Sequence, residues 1–250
     1  MTPFLTPREA REATRCLAAR LRAGTALLVG GYPGAERVRA ILLPDYLEGL
    51  TDPRELSDDP VVALAAAGFE EIAAAISAAV VPVRIKGSGY RVLSHRDYLG
   101  ALLHLGVERD RIGDICVISP HEAILFCDRV MVGFFTENLT RVANDAVRLS
   151  VTEVAADFDG GRTFLPISDT VASPRADAVV AALANLSRER AQALFREGRV
   201  EIDYSPEERI DRTVGEGAVI VIRGCGKFII RALSDKTKKG RFRLLADKYN

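Results

Sequence analysis

A pair of short helix-forming segments, each with its own start and stop signals, constrains the fold of this 250-residue sequence most strongly. Pro174 suits the first turn of one helix, and Ser187 is a typical N-cap for the second, which Gly198 ends. Apolar residues recur at helical spacing in both segments, so each helix has one face to bury. Residues 200–204 and 218–223 then alternate as strands. The pattern predicts a helix–turn–helix followed by a β-hairpin.

The second helix carries a basic ridge. Arg188, Gln192, Arg196 and Arg199 follow one another at spacings of four, four and three, which places them along one side of the helix. A basic stripe is usually a solvated face, but guanidinium groups held in a row also suit phosphate oxygens. The ridge is therefore a candidate RNA-backbone contact.

Charge is distributed unevenly along the chain. The formal net charge is zero, yet residues 171–250 carry 16 Lys and Arg against 11 Asp and Glu. Residues 223–243 alone contain eight basic side chains and one acidic side chain. A basic end on a mildly acidic body indicates contact with nucleic acid. A purely solubilising role for the last basic residues is the alternative.

The stretch SRERAQALFREGRV, which starts at Ser187, resembles the central motif of the S4 RNA-binding domain. An Arg-x-Asp sequence of the family's first helix is matched by Arg175 and Asp177. A later Gly-Asp-x-Ile-x-Val motif is matched loosely, because Ala218 replaces its aspartate. The resemblance implies an S4 (alpha-L) domain over residues 171–233 that binds RNA through its second helix and the arginine of its first.

The predicted RNA-binding residues are those that the S4 resemblance implies, together with basic residues near and beyond the end of the domain. They are Arg175, Ser187, Arg188, Gln192, Arg196, Arg199, Arg223, Lys227, Lys236, Lys238, Lys239, Arg241 and Arg243.

The rest of the chain predicts two further domains, so that the whole is α+β. The order strand–helix–strand–strand–helix–strand over residues 79–156 is that of ferredoxin-like, RRM-like domains. Residues 1–78 mix helix and strand signals and predict a small N-terminal α/β domain. Within them, the alanine-rich run that begins at Val61 favours helix, with a strand near residues 72–78 as the alternative. Residues 157–170 are expected to form a linker.

Two further expectations concern the RNA contacts of these parts. Residues 234–250 are expected to form a basic tail that extends the RNA footprint. RRM-like domains bind single strands through two or three aromatic residues on an exposed sheet face. The strands here offer little beyond Phe126, so we expect weak or no single-strand binding by the central domain alone.

Other chemistry has little support in the sequence. The four cysteines are scattered without metal-ligand spacing, so we expect no metal and reduced thiols. The glycines from Gly30 to Gly34 predict a tight turn, because the lysine and serine or threonine of a phosphate loop are missing. Neither a catalytic constellation nor a signal peptide is visible. We therefore expect a non-enzymatic cytoplasmic monomer without cofactor or membrane contact.

Several segments together resemble the YlmH family, which includes the photosystem II S4 domain proteins: PFLTPREA, GGYPGAER, HRDYLGALLHLGVERDRIGDI, VASPRADAVVAAL and DKTKKGRFRL. The resemblance implies a ribosome-associated protein whose partners are tRNA and the rRNA of the large subunit. It further implies a role in handling stalled ribosomes, or a role related to photosystem II in phototrophs. An RNA-modifying enzyme that docks through its S4 domain and a protein-assembly factor are the alternatives.

Overall fold

The computed structural model describes residues 1–48, 60–236 and 240–249. They form two compact units, the N-terminal unit (Met1–Gly161) and the C-terminal unit (Arg162–Asn250). The predicted RNA-binding residues Lys238 and Lys239 lie outside the described residues.

The described residues at the start of the N-terminal unit form four α-helices and a two-stranded antiparallel sheet. Its elements are α1 (Pro7–Cys16), α2 (Ala18–Arg22), β1 (Ala26–Val29), β2 (Arg39–Leu42), α3 (Pro60–Ala66) and α4 (Glu70–Ser77). Thr6 and Glu9 form a reciprocal capping box at the start of α1. The alanine-rich run forms α3 and α4, which confirms the helix prediction, and the alternative of a strand near residues 72–78 is wrong.

A five-stranded antiparallel sheet with two helices follows. Its elements are β3 (Val81–Gly87), α5 (His95–His104), β4 (Ile112–Ser119), β5 (Glu122–Cys127), α6 (Arg129–Asn138), β6 (Arg141–Val142) and β7 (Asp145–Val151). The strand order is β4-β5-β3-β7-β6, with β3 between β5 and β7. This order, with a helix after β3 and another after β5, is the ferredoxin-like arrangement that the sequence predicts. Ser94 and Asp97 form the capping box that starts α5.

The two faces of this sheet bury different sets of residues. Ile85 and Leu125 pack with the helices α5 and α6 in one core. On the opposite face, Cys116, Ile124 and Phe126 pack against the first 80 residues in a second core. Residues 1–78 and 79–156 therefore share a core, although the sequence predicts them as separate domains.

Phe126 is fully buried, because the N-terminal segment covers its half of the sheet. The Tyr32 ring lies 4.8 Å from the Phe126 ring, centroid to centroid. A Cβ on Gly31, which has a φ of +91°, would lie 2.4 Å from the same ring, so this glycine permits the close approach. Phe126, the aromatic residue that these strands offer for stacking, is therefore not accessible to RNA.

The turn that contains Gly30 to Gly34 is held by the carboxylate of Asp114. The Tyr32 hydroxyl donates to Asp114 at 2.7 Å, and the backbone amides of Glu36 and Arg37 donate at 2.8 Å and 3.1 Å. These hydrogen bonds anchor the segment that contains the glycines to β4, which supports the structural-turn interpretation.

The described residues of the C-terminal unit form a six-stranded antiparallel sheet with two α-helices. Its elements are β8 (Phe164–Val171), α7 (Ala176–Leu183), α8 (Arg188–Arg196), β9 (Val200–Ile202), β10 (Ser205–Pro206), β11 (Val219–Ile222), β12 (Gly226–Lys236) and β13 (Phe242–Tyr249). The strand order is β10-β9-β11-β12-β13-β8. Val180, Leu194 and Phe195 of the helices pack on Phe228 and Leu244 of the sheet.

Two loop predictions in this region are wrong. The predicted linker contains most of β8, and the predicted tail contains the end of β12 and all of β13. Leu244 and Ala246 alternate with exposed Arg243 and Leu245, so one face of β13 is buried while Arg243 faces solvent. Pro166 is tolerated because β8 is an edge strand, where a missing amide donor costs no ladder bond.

Candidate RNA-binding surface

Helix α8 is oriented by its cap and by its buried face. The Ser187 hydroxyl accepts a hydrogen bond from the Arg190 amide at 3.2 Å, which makes Ser187 the N-cap. Ala191 and Leu194 are buried in the core of the C-terminal unit. The basic ridge therefore lies along the side of α8 that the core leaves exposed, with Arg188 and Arg196 in contact with solvent.

A single enclosed carboxylate organises the start of this ridge. The side chain of Asp177, on α7, is fully buried. It accepts from Arg188 through Nε at 2.9 Å and through Nη2 at 3.2 Å. Arg175 Nε donates to it at 3.2 Å, and Gln192 Nε2 donates at 3.0 Å. Three predicted RNA-binding residues from two segments thus converge on one acceptor, which restricts their side-chain freedom.

Asp177 was not among the predicted RNA-binding residues. Burial by itself would raise the pKa of its carboxyl, but the hydrogen bonds from Arg188, Gln192 and Arg175 outweigh burial and lower the pKa to about 2. The carboxylate is therefore ionised throughout the neutral range. The signal for it in the sequence is the Arg-x-Asp pair, which places an acid beside the first arginine of the surface.

The arginines bound to Asp177 remain available to a ligand. The Arg188 side chain is 50% exposed and the Arg175 side chain 39% exposed. Arg188 uses Nε and Nη2 for the carboxylate, so its Nη1 group has no partner within the described parts of the chain. A guanidinium fixed on one edge and open on the other can donate to a phosphate without first losing much rotamer entropy.

The remaining predicted RNA-binding residues of the domain lie in three different places. Arg196 is exposed and, among the residues that the structure describes, has no ion-pair partner. Arg199 donates to the Arg223 carbonyl at 2.6 Å and to Glu197 at 3.2 Å, and Arg223 pairs with Glu201 at 3.2 Å. These contacts join the end of the ridge to the β-hairpin.

Lys227 lies elsewhere, on the sheet face opposite the helices. Its neighbour Phe228 points into the helix-side core, so the Lys227 side chain points the other way. Its ammonium lies 4.6 Å from the centre of the Tyr249 ring and 5.1 Å from that of Tyr204. The structure therefore does not bring Lys227 to the basic ridge.

Among the described residues of the predicted tail, Lys236 and Arg243 lie on strands and Arg241 directly precedes β13. Lys236 ends β12, and Arg243 is exposed on β13. Arg241 donates to the Thr170 carbonyl at 2.6 Å, which ties it to β8. These residues are positioned by sheet pairing and not by a free tail.

Acid should weaken the C-terminal unit through Asp177. Because the folded pKa is about 2 and the ordinary value is 3.8, the stabilisation is complete above about pH 4 and is lost as the pH falls towards 2. The difference corresponds to about 2 kcal/mol. We expect Asp177→Asn to have a flatter stability profile between pH 4 and pH 2 than wild type in urea unfolding. Identical profiles would mean that Asp177 does not contribute to the acid dependence.

The described residues contain no helix of the length and apolarity that cross a bilayer. They also contain no group of three His, Cys, Asp or Glu side chains arranged to hold a metal ion.

The chain is similar to the following family, relative and solved structure. Residues 83–156 match the family described as "Putative RNA-binding domain in YlmH". "Ribosome-associated protein quality control protein P2" of Bacillus subtilis (strain 168) is 32% identical over 245 residues, which cover 98% of this chain and 85% of that protein. The solved structure of "Cell division protein ylmH from Streptococcus pneumoniae" is similar over 60% of this chain and 76% of its own, with 19% identity and a TM-score of 0.41.

Proposed function

We propose that this chain, which belongs to the YlmH family, is a non-enzymatic protein that binds structured RNA on the ribosome. The observation that carries the proposal is the convergence of Arg175, Arg188 and Gln192 on the buried carboxylate of Asp177. The Bacillus subtilis relative, named as ribosome-associated, is similar along almost the whole chain. Ribosomal RNA of the large subunit and tRNA are the proposed partners.

The chemistry of the ridge favours recognition of RNA shape over base sequence. Guanidinium groups fixed on a short exposed helix suit phosphate oxygens, and A-form RNA hides its major-groove base edges from side chains. Such a surface has little sequence specificity of its own. We therefore propose that it reads the backbone of a distorted or folded RNA.

The neutral charge of the whole chain adds a further argument. A net charge of zero means that the protein lacks the broad positive field that retains basic proteins on any RNA. Selective binding then requires several local surfaces that meet one rigid RNA together. A ribosomal subunit offers such an RNA, which supports a ribosomal target over free single-stranded RNA.

Arg196 provides the cleanest test, because its removal breaks no ion pair with the described residues. We expect Arg196→Ala to weaken co-sedimentation with large ribosomal subunits about fivefold or more near physiological salt, because one charge-assisted hydrogen bond to phosphate can no longer form. Arg190→Ala is the matched control. It removes the same charge from the same helix, roughly 120° around the axis from Arg196.

The control variant should bind within about twofold of wild type. Equal affinities for Arg196→Ala, Arg190→Ala and wild type would contradict a role for the ridge. Recovery of the wild type only in ribosome-free fractions, at low as well as moderate salt, would contradict the ribosomal target.

A further inference from the structure

The outer face of the ferredoxin-like sheet is divided into two halves of different character. The β4–β5 half, which includes Ile124 and Phe126, is apolar and buried against the N-terminal segment. The β3–β7 half is cationic and open. There the side chains of Arg84 and Lys86 are 42% and 70% exposed, and Arg148 is exposed. RNA therefore cannot reach the aromatic half of this sheet but can reach the basic half.

Two like charges stand directly opposite each other on the open half. Lys86 of β3 is paired in register with Arg148 of β7, so their side chains lie side by side on the same face. Glu122 flanks Lys86 on its other side, with Nζ–Oε1 at 3.6 Å, and lies 4.0 Å from Arg84. Arg148 has no ion-pair partner within the described ranges. A cross-strand pair of cations costs stability, and a bound anion removes that cost.

These two cations line a groove of about 470 Å³, a volume that accommodates a small ligand group such as a nucleotide. Gly87 and Ser88 also line the groove, and hydrogen bonds hold their backbone in place. The Gly87 amide donates to the His121 carbonyl at 2.8 Å, the Ser88 amide donates to the Ala146 carbonyl at 3.0 Å, and the Ser88 hydroxyl bonds to the buried Asp145. The groove is therefore preformed.

An exposed aromatic residue follows directly after this groove. Tyr90 is 80% exposed, the most exposed of the large hydrophobic side chains in the described ranges. Its amide lies 3.4 Å from the Ser88 hydroxyl, so it belongs to the same turn. Proteins commonly bind unpaired nucleotides by combining aromatic rings, which stack on bases, with cations, which bind phosphate.

We propose that Lys86, Arg148 and Tyr90 form a second RNA contact, in which the two cations bind a backbone phosphate and Tyr90 stacks on an unpaired base. The inference rests on the proposed function and specifies which face of residues 83–156 touches RNA. An acidic peptide would satisfy the cations but would leave Tyr90 without a stacking partner, so RNA is the better fit. One phosphate and one base are a small contact, which is consistent with weak binding of single strands by this domain alone.

The test uses the full chain with purified large ribosomal subunits. Lys86→Ala/Arg148→Ala should weaken binding about tenfold and make the slope of log affinity against log salt shallower by about 0.7–0.9 for each phosphate that is no longer neutralised. Tyr90→Ala, a change on an exposed turn that leaves the core intact, should weaken binding about fivefold or more without changing the slope, and Tyr90→Phe should restore it. Ultraviolet cross-linking of the wild type should yield a nucleotide adduct on Tyr90.

The matched control is Arg15→Ala/Arg22→Ala, which removes the same charge from exposed positions on α1 and α2. Binding by Lys86→Ala/Arg148→Ala equal to that of this control would overturn the inference, as would a Tyr90 cross-link to a ribosomal protein. If Arg196→Ala weakens binding while the groove variants do not, only this inference fails. If no variant weakens binding, the proposed function fails with it.

Discussion

Replacement of Asp177 by alanine is expected to lower RNA affinity about tenfold or more, although the change makes the surface more positive. Asp177 holds Arg175, Arg188 and Gln192 in place, and each freed side chain costs about 0.5–1.5 kcal/mol to immobilise again on binding. If the ridge acted through charge alone, removal of a carboxylate would strengthen binding. The sign of the change therefore separates orientation from simple attraction.

The same substitution should destabilise the C-terminal unit by about 2–3 kcal/mol, because it removes charge-assisted hydrogen bonds to a buried carboxylate. The cost stays in this range because Arg175 and Arg188 are partly exposed, so water can replace the hydrogen bonds that they lose. Denaturant unfolding and amide hydrogen exchange of residues 176–196 would measure it. RNA affinity should be measured where the variant is folded, with Asp177→Asn as the near-isosteric comparison. Tighter RNA binding by folded Asp177→Ala would contradict the orienting role.

Local signals were sufficient to predict the elements that position the ridge. Ser187 marks the start of α8 and Gly198 follows its end, as their capping preferences indicate, and Ser94 marks the start of α5. The order of the central strands followed from the alternation of helical and strand patterns. In each case the information lies within a few residues of the element that it specifies.

The strands β8 and β13 could not be predicted in the same way. They pair with each other in the register Phe164↔Tyr249, across more than 70 residues of sequence. Each is weak as an isolated pattern, because β8 contains Pro166 and Asp169 and β13 is rich in charge. Their stability comes from pairing and from the shared core, which local sequence patterns do not reveal.

The sequence of β5 indicates that the central sheet is covered on both faces, although the number of aromatic residues in its strands does not. In β5, all residues from Ala123 to Cys127 are apolar and buried, whereas a strand with one solvated face alternates. Such a run indicates a sheet covered on both sides. The acceptor role of Asp177 was harder to anticipate, because spacing aligns side chains along a helix but does not show which buried group they share.

Deletion of residues 234–250 is expected to unfold the C-terminal unit and not merely to remove basic charge. The deletion removes β13, which pairs with both β12 and β8, and takes Leu244 and Ala246 out of the core. Burial of Leu244 alone contributes about 2–3 kcal/mol. Thermal unfolding followed by circular dichroism should lose the transition of this unit. A fall in RNA affinity on truncation would therefore say nothing about phosphate contacts.

Substitutions that leave β13 intact distinguish the loss of stability from the loss of phosphate contacts. Arg243→Gln, at an exposed position of β13, should leave the melting temperature within a few degrees of wild type. Lys238→Gln/Lys239→Gln removes two further cations of the predicted tail. If these side chains bind phosphates, the slope of log affinity against log salt should become shallower by about 0.7–0.9 for each cation removed from a phosphate. An unchanged slope in these variants would mean that Lys238, Lys239 and Arg243 do not bind phosphate and that their charges only increase solubility. A truncated protein with a normal melting transition would contradict the place of β13 in the core.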